Sequence, residues 1–224
     1  MRMTWRCIIL HIDSYLLTSG RYMEMIENQN RRERNMKKIA VVWSSPNLDG
    51  LTASAKNQFI KGLEAAGAEV TEIHLNRKKL EHCRACGNGW GTCNKTGECV
   101  LPDDFGSIYQ SLADADGIVW ISAVYWSDMT EAFKAFFDRL RRCDATKNHF
   151  LRDKRCILMA CAGGTGRGTL ECLTQLERGL THMGMRTLDR VSIVRYNREL
   201  VLPMLEEAGK RYVEALENGF DMYY

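Results

Sequence analysis

Four cysteines lie close together in the 224-residue chain, and their thiols can bind a metal or carry redox chemistry. Two, six and five residues separate successive members of the set Cys83, Cys86, Cys93 and Cys99. Four thiolates at short spacing suit zinc or an iron–sulfur cluster. Reduced cysteines without a ligand, or cysteines that pair on oxidation, are the alternative. The sequence therefore predicts a metal-binding or redox-active loop over residues 83–99 and leaves these outcomes open.

The other cysteines and the five histidines give weaker signals. No two histidines have the i, i+4 spacing of a helical metal site, so only His82, beside Cys83, is a candidate ligand. The remaining cysteines are interpreted as small buried apolar side chains: Cys7, Cys143, Cys156, Cys161 and Cys172. Three arginines near the end of an aromatic helical segment are attributed to the attraction of cations to a helix C-terminus, with attraction of a nucleotide phosphate such as that of NADPH as the alternative: Arg139, Arg141 and Arg142.

A polar loop over residues 44–52 directly precedes a helical pattern and is a candidate phosphate site. It supplies hydroxyls, an amide and a glycine where free backbone N–H groups and the positive end of the helix dipole favour an anion. It matches neither GxxxxGK[ST] nor GxGxxG, which disfavours a nucleoside triphosphate or a dinucleotide. A monophosphate such as that of FMN fits better, and a simple capped turn is the alternative.

Two further loops follow apolar runs. Residues 122–129 place the adjacent aromatics Tyr125 and Trp126 at a strand end, where they line a planar ring or pack on the phenylalanine-rich helix that follows. Residues 161–168 hold four glycines within six positions, so the backbone can approach a flat ligand closely. A merely flexible loop is the alternative for this third segment.

Apolar runs alternate with helical patterns along the chain and predict the architecture. Strands are predicted over residues 38–43, 69–75, 117–122, 155–161 and 187–194. Helices are predicted over 51–66, from a cap at 102–104 through 112, and over 129–140, 168–183 and 198–216. This alternation predicts an α/β fold in which helices cover both faces of a parallel sheet. Ligands of such sheets bind beyond the carboxyl ends of the strands, so the three loops are expected to meet there.

The folded domain is predicted to span residues 36–224. Residues 1–35 differ in composition, end in a polar charged stretch and are interpreted as a dispensable extension, with a short accessory helix over 14–27 as an alternative.

The net charge of +3, from 31 basic and 28 acidic residues, gives no strong basic field for nucleic acid or an anionic membrane surface. No apolar run reaches the roughly 18 residues of a membrane-spanning helix, and no signal peptide is recognisable. Nine cysteines, an odd and crowded set, predict a reducing, cytoplasmic location rather than a secreted disulfide framework.

Four motifs together resemble a known family. They are S-S-P-N-x-x-G-x-T over 44–52, C-V-L-P-D-D over 99–104, S-A-V-Y-W over 122–126 and K-A-F-F-D-R over 134–139. Over residues 36–195 the chain resembles the flavodoxin-like NADPH-dependent FMN reductases, close to the relatives of iron–sulfur flavoproteins. The resemblance implies a doubly wound five-stranded sheet with strand order 2-1-3-4-5.

The resemblance also implies site residues. The loop at the FMN phosphate would comprise Ser45, Asn47, Gly50 and Thr52. The walls of the isoalloxazine ring and ribityl chain would comprise Ala123, Val124, Tyr125, Trp126, Ser127, Ala162, Gly163, Gly164 and Gly166. A [4Fe–4S] cluster on Cys83, Cys86, Cys93 and Cys99 is implied as well, although iron–sulfur flavoproteins have two residues in the middle spacing where this chain has six.

The function implied is an NAD(P)H oxidoreductase. NAD(P)H would give hydride to FMN, and the reduced flavin would pass electrons to a quinone, a flavin or another small acceptor. A homodimer or homotetramer is implied too. An electron carrier or redox sensor, and a domain that binds no cofactor, are the alternatives. The flavin carries the chemistry in such enzymes, so no catalytic side chain is assigned.

Overall fold

Five parallel strands form one sheet in the computed structural model, which describes residues 36–144 and 148–220. The strands are β1 (Lys38–Ser44), β2 (Glu69–His74), β3 (Gly117–Ala123), β4 (Arg155–Ala162) and β5 (Arg186–Val194). Their spatial order is β2-β1-β3-β4-β5. The predicted strand order is confirmed, and every strand lies within one residue of its predicted bounds.

Helices cover both faces of the sheet. They are α1 (Leu51–Ala65), α2 (Phe105–Asp114), α3 (Glu131–Cys143), α4 (Thr169–His182) and α5 (Arg198–Asn218). Helices α1 and α5 pack on one face, and α2, α3 and α4 pack on the other. Side chains of β1 alternate between the two faces, so that Val41 packs under α1 and α5 and Val42 packs under α2, α3 and α4. The predicted doubly wound fold is confirmed.

The start of α3 differs from its predicted position at residue 129. Thr130 is the N-cap, and its hydroxyl accepts a hydrogen bond from the N–H of Phe133. Because an N-cap residue satisfies a first-turn N–H and has extended backbone angles, the helix begins after it. The helix also continues three residues beyond its predicted end, to Cys143.

Several expectations concern residues outside the described ranges. The N-terminal extension over 1–35, the accessory helix over 14–27 and Cys7 belong to this group. Within residues 36–144 and 148–220, no helix combines the length and the apolar composition needed to cross a membrane.

Candidate functional site

The strand register brings the three predicted loops to one edge of the sheet. Ser44 at the end of β1 lies opposite Ser122 of β3, and Ala123 lies opposite Cys161 of β4. The N–H of Val124 donates to the carbonyl of Cys161 at 3.0 Å, which extends the pairing by one residue. The segments 45–52, 124–130 and 163–168 therefore leave the sheet side by side. We call these three segments the sheet edge.

The first segment is anchored at its base. Ser44 Oγ donates to Asn76 Oδ1 at 2.8 Å and also contacts Thr130 Oγ1. The carbonyl of Ser45 is hydrogen bonded to His74 Nε2 at 2.8 Å, and the N–H of Asn47 donates to Ser45 Oγ at 3.3 Å. Ser45 is buried by these contacts, whereas the side chain of Asn47 is exposed.

Helix α1 begins directly after this segment with an open N-terminus. Gly50 is its N-cap, and no side chain of the described residues caps the helix. The first N–H groups of a helix have no partner within the helix, so a ligand or water must satisfy them. The N-terminus of α1 therefore fits an anion, as the sequence predicts.

Thr52, another predicted phosphate residue, is buried in the first turn of α1. Its side chain lies near the Cys161 thiol of β4. Burial raises the pKa of that thiol to about 12, and the Thr52 hydroxyl acts in the opposite direction. The Thr52 side chain is thus turned into the protein, so only the backbone around it is available to a phosphate.

The second segment turns sharply. Tyr125 and Asp128 exchange backbone hydrogen bonds of 2.8 and 3.0 Å, so the two residues between them form the tip. Trp126 and Ser127 have φ angles of 50° and 67°, in the left-handed region that most residues avoid. The Trp126 side chain is fully exposed and Tyr125 is partly so. The alternative in which Trp126 packs on the phenylalanine-rich helix is therefore wrong.

The third segment combines open space with one close contact. Ala162 is buried at the end of β4, and a Cβ on Gly163 or Gly164 would meet no atom of the protein within 4 Å. Gly168 has a φ of 85°, and a Cβ there would lie 2.6 Å from Ser127 Cα. The second and third segments are thus in contact at Gly168, while Gly163 and Gly164 face free space. The last predicted residue, Gly166, lies against Val194.

A cavity of about 260 Å³ lies beside the sheet edge. Tyr125, Thr130 and the segment after β2 line it, and His82 lies on its wall, 3.6 Å from a carboxylate oxygen of Glu131. His82 therefore faces this cavity, although the sequence made it a candidate ligand of the neighbouring cysteine site.

The cysteines occupy a long connection between β2 and α2. We call residues 79–104 the cysteine loop. Its two ends are tied together, because the N–H of Lys79 donates to Asp104 Oδ2 at 2.7 Å and the N–H of Glu81 donates to Asp103 Oδ2 at 2.8 Å. The N–H of Asp104 returns a bond of 3.0 Å to the carbonyl of Lys79. The cysteine loop therefore leaves the domain and returns to it at the same place, with its two ends hydrogen bonded to each other.

A buried ion pair fixes this closed base to α3. Arg139 donates two hydrogen bonds to Asp103, at 2.6 and 2.8 Å, and a third to the carbonyl of Glu81 at 3.0 Å. Both ionic side chains are only 1% exposed. Burial acts to raise the pKa of Asp103, but the bonds from Arg139 and from backbone N–H groups outweigh it and lower the pKa. The attribution of Arg139 to the helix C-terminus is therefore wrong, since Arg141 and Arg142 occupy the last turn of α3 and Arg139 is held by the buried ion pair.

The four predicted thiols share one small cavity. Cys83, Cys86, Cys93 and Cys99 all line it, together with Arg139, Arg142 and Cys143. In the described part of the chain, no three His, Cys, Asp or Glu side chains converge as a ready metal site. Cys143 is buried, as predicted, and so are Cys156, Cys161 and Cys172. The sequence did not predict that Cys143 lines this cavity, because Cys143 is 44 residues distant from Cys99 in the chain.

The charge state of Cys143 reflects this cavity. Burial above all, together with the neighbouring Cys99, Cys93 and Cys83, raises the pKa of its thiol to about 12. Arg139 acts in the opposite direction. The Cys143 thiol is therefore neutral near pH 7 and lies among other thiols.

The wide middle spacing of the cysteines is folded into a compact turn. Ala85, Gly87, Asn88 and Gly89 all have positive φ angles, and the N–H of Gly89 donates to the carbonyl of Ala85 at 3.0 Å. Arg142 of α3 donates to the carbonyl of Gly89 and lies 4.7 Å from the centre of the Trp90 ring. The additional residues therefore hold the cysteine loop against α3.

Comparison with known proteins identifies the family. A profile of the NADPH-dependent FMN reductases matches residues 37–198. The chain belongs to this family. An iron-sulfur flavoprotein of Archaeoglobus fulgidus is 32% identical over 105 residues, which cover 47% of this chain and 46% of the relative. One of Methanocaldococcus jannaschii is 32% identical over 132 residues, 58% of this chain and 64% of the relative. The matched part is thus less than two thirds of either relative's length.

Solved structures show the same fold as this FMN reductase family member. The NAD(P)H:quinone oxidoreductase of Methanothermobacter marburgensis superposes with a TM-score of 0.59 at 19% identity, over 79% of this chain and 97% of that one. A flavodoxin from the domain Archaea gives a TM-score of 0.54 at 17% identity, over 80% of this chain and 99% of that one. Both support the flavodoxin-like fold.

The sheet edge of this family member fits FMN in its chemistry. The open N-terminus of α1 suits a phosphate, and the free space over Gly163 and Gly164 suits a flat ring beside the exposed Trp126. The cysteine cavity fits a thiolate-bound metal in its donor set, since five thiols line it.

Proposed function

We propose that the protein is an FMN-dependent oxidoreductase that takes electrons from NAD(P)H and passes them to a small acceptor such as a quinone or a flavin. The observation that carries this proposal is the open, backbone-lined sheet edge, in a chain of the FMN reductase family. The residue types at this edge bind and orient a cofactor, and they do not form an acid–base pair of their own.

Each segment of the sheet edge has a distinct task in this proposal. The N-terminus of α1, with Ser45, Asn47 and Gly50 before it, holds the phosphate, and Thr52 in its first turn contributes backbone while its side chain is buried. When bound, FMN supplies the hydride and electron chemistry.

The other two segments shape the ring site. Ala123 and Val124 form its floor at the end of β3, and Tyr125, Trp126 and Ser127 form one wall. Ala162, Gly163, Gly164 and Gly166 form the opposite wall, where the lack of side chains lets backbone N–H groups approach the ring. Donors placed there stabilise negative charge on a reduced ring.

The phosphate assignment is tested by a matched pair of charge changes. Asn47→Asp puts a carboxylate beside the open N-terminus of α1, and Asn57→Asp makes the same change at an exposed position farther along the helix. FMN affinity, measured by the quenching of flavin fluorescence, should fall roughly 10- to 100-fold in the first variant, because a like charge near the phosphate costs about 1–3 kcal/mol. Equal affinities in the two variants would contradict the assignment.

The reaction is tested with the wild-type protein loaded with FMN. Anaerobic consumption of NADH or NADPH should continue in the presence of a quinone and should stop when the quinone is exhausted. Failure to consume either nucleotide, with FMN bound, would contradict the oxidoreductase proposal.

The cysteine cavity favours a second candidate, an electron carrier that holds FMN together with a thiolate-bound iron–sulfur cluster. Its support is that four cysteines of one loop line a single cavity, and that similar proteins are named iron-sulfur flavoproteins. A carrier would bind FMN and accept electrons from a chemical reductant without sustained consumption of NAD(P)H.

A homodimer or homotetramer in the cytoplasm completes the proposal. Its support is a set of exposed apolar side chains on the loops and helix ends around the sheet edge, namely Trp126, Leu170 and Tyr196. Light scattering after gel filtration should give twice or four times the 25.6 kDa chain mass. A monomer at micromolar concentration would contradict this part.

A further inference from the structure

The proposed phosphate site has a neighbour in the edge strand β2. The last residue of this strand, His74, lies opposite Trp43 of β1 in the sheet register. The two rings stack, with their centres 3.7 Å apart and their planes 9° from parallel. Trp43 is part of the core packed under α1 and α5, so a buried side chain fixes the plane of the histidine ring.

Polar contacts hold the Trp43 ring in turn. Its Nε1–H donates to a carboxylate oxygen of Glu72 at 2.8 Å. The same oxygen lies 3.0 Å from Lys56 Nζ, and that ammonium group lies 5.2 Å from the centre of the Trp43 ring. Lys56 belongs to α1 and is buried. The cluster therefore connects the helix at the phosphate site to both β1 and β2.

His74 binds the turn before α1 through the edge of its ring. Its Nε2 lies 2.8 Å from the carbonyl oxygen of Ser45, and because a carbonyl only accepts, this nitrogen carries the proton. Pro46 follows and has no N–H, so the peptide group between Ser45 and Pro46 has an acceptor but no donor. A carbonyl oxygen repels a phosphate, and the bond from His74 restrains this one.

Donor groups of the same turn stay available to an anion. The Ser45 Oγ accepts a bond of 3.3 Å from the N–H of Asn47, and its own hydroxyl hydrogen has no acceptor among the described residues. The first N–H groups of α1, after Gly50, are also uncapped there. With the Ser45 carbonyl bound to His74, the turn offers donors to the phosphate.

We infer that His74 is a positioning residue for the phosphate of FMN. Its Nε2–H holds the Ser45 carbonyl, and thereby keeps the turn in the conformation in which its donors meet the anion. His74 acts through Ser45 and does not itself bind the phosphate. This inference rests on the proposed function, because it requires the phosphate at the N-terminus of α1. It gives a task to β2, a strand that holds none of the predicted site residues.

Substitutions of His74 separate its ring from its N–H. His74→Phe keeps an aromatic ring against Trp43 and loses the donor, whereas His74→Gln loses the ring and keeps an amide N–H of similar reach. His182→Phe makes the control change at an exposed histidine of α4. Quenching of flavin fluorescence measures the affinity of the full chain for FMN and for riboflavin, which lacks the phosphate.

The FMN affinity should fall about 3- to 10-fold in His74→Phe, the loss expected for one neutral hydrogen bond, while the riboflavin affinity stays unchanged. His74→Gln should recover most of the FMN affinity, and His182→Phe should match the wild type. Equal losses for the two flavins, no loss in His74→Phe, or a His74→Gln variant as weak as His74→Phe would overturn the inference. A wild type that binds riboflavin as tightly as FMN would contradict the phosphate site itself, and the inference with it.

A second measurement examines the ring directly. A long-range proton–nitrogen NMR spectrum of the chain labelled with nitrogen-15 histidine shows which ring nitrogen carries the proton. At about pH 8, above the ordinary pKa of histidine, the signal that is missing from His74→Phe should show the proton on Nε2, with and without FMN. A proton on Nδ1 alone would overturn the inference, whatever the affinities of the variants.

Discussion

The sheet edge and the cysteine loop are built by different means. Topology assembles the sheet edge: parallel strands end together, and backbone groups, glycines and an uncapped helix N-terminus lie side by side there. Long-range side-chain contacts assemble the cysteine loop, above all the pair of Asp103 with Arg139. A site formed by backbone groups tolerates varied side chains, whereas a site held in place by a buried ion pair depends on those two particular side chains.

Breaking the buried ion pair should give the largest effect. Asp103→Ala leaves the Arg139 charge buried without its partner, which should lower the free energy of unfolding by about 3–5 kcal/mol at pH 7. Urea unfolding measures the change. The double variant Asp103→Ala with Arg139→Met should recover part of the loss, and no recovery would show that the charge is not the cause.

Acid should reduce the difference in unfolding free energy between the wild type and Asp103→Ala. The folded-state pKa of Asp103 lies below its ordinary value of 3.8, so its stabilising contribution is present above that value and is lost as the pH falls through the folded pKa. The gap in unfolding free energy between wild type and Asp103→Ala should therefore be largest near neutral pH and should shrink below about pH 4. A constant gap down to pH 3 would contradict the ion-pair account.

Substitutions at two glycines of the sheet edge should affect protein stability and FMN binding separately. Gly168→Ala adds a Cβ that would clash with Ser127 at a positive φ, so it should cost about 2–3 kcal/mol of unfolding free energy. Gly164→Ala meets no protein atom and should change stability by less than about 0.5 kcal/mol while weakening FMN binding. Unchanged FMN affinity in Gly164→Ala would argue against a ring over that glycine.

Thr130 connects the two regions and should give an intermediate effect. It belongs to the sheet edge and contacts Ser44 at the end of β1, and it also caps α3, the helix that carries Arg139 and Cys143. Thr130→Ala should cost about 1–2 kcal/mol in thermal or urea unfolding. Thr130→Ser, which keeps the hydroxyl, should lose much less, and equal losses would assign the effect to the methyl group.

The smallest effect is expected at the exposed turn of the cysteine loop. Trp90→Leu removes the ring that Arg142 and Arg141 approach, at 4.7 and 5.7 Å, and should cost about 0.5–1 kcal/mol. Hydrogen exchange should increase over residues 85–91 and stay unchanged at the sheet edge. A faster exchange at the sheet edge would show that the two regions are coupled more closely than their contacts indicate.

Sequence periodicity was sufficient for the positions of the strands and for the α/β class, because each strand is a short run bounded by turns, whereas the strand order came from the family resemblance. It also placed the loops of the sheet edge, since carboxyl ends of parallel strands share one edge. It could not reveal the exposure of Trp126, which depends on the tight turn between Tyr125 and Asp128.

The cysteine loop was less predictable for a different reason. The spacing of its cysteines indicated a common site, but the contributions of Arg139 and Cys143 depend on how α3 packs against residues that are 36 to 60 positions away. No local pattern carries that information. An arginine near the end of a helix is equally compatible with a surface position.

A structure of the full chain crystallised with excess FMN tests the central claim most directly. One FMN per chain is expected, with its phosphate at the N-terminus of α1 and its ring between residues 123–127 and 162–166. FMN bound at another place, or a sheet edge that stays empty at saturating FMN, would contradict it.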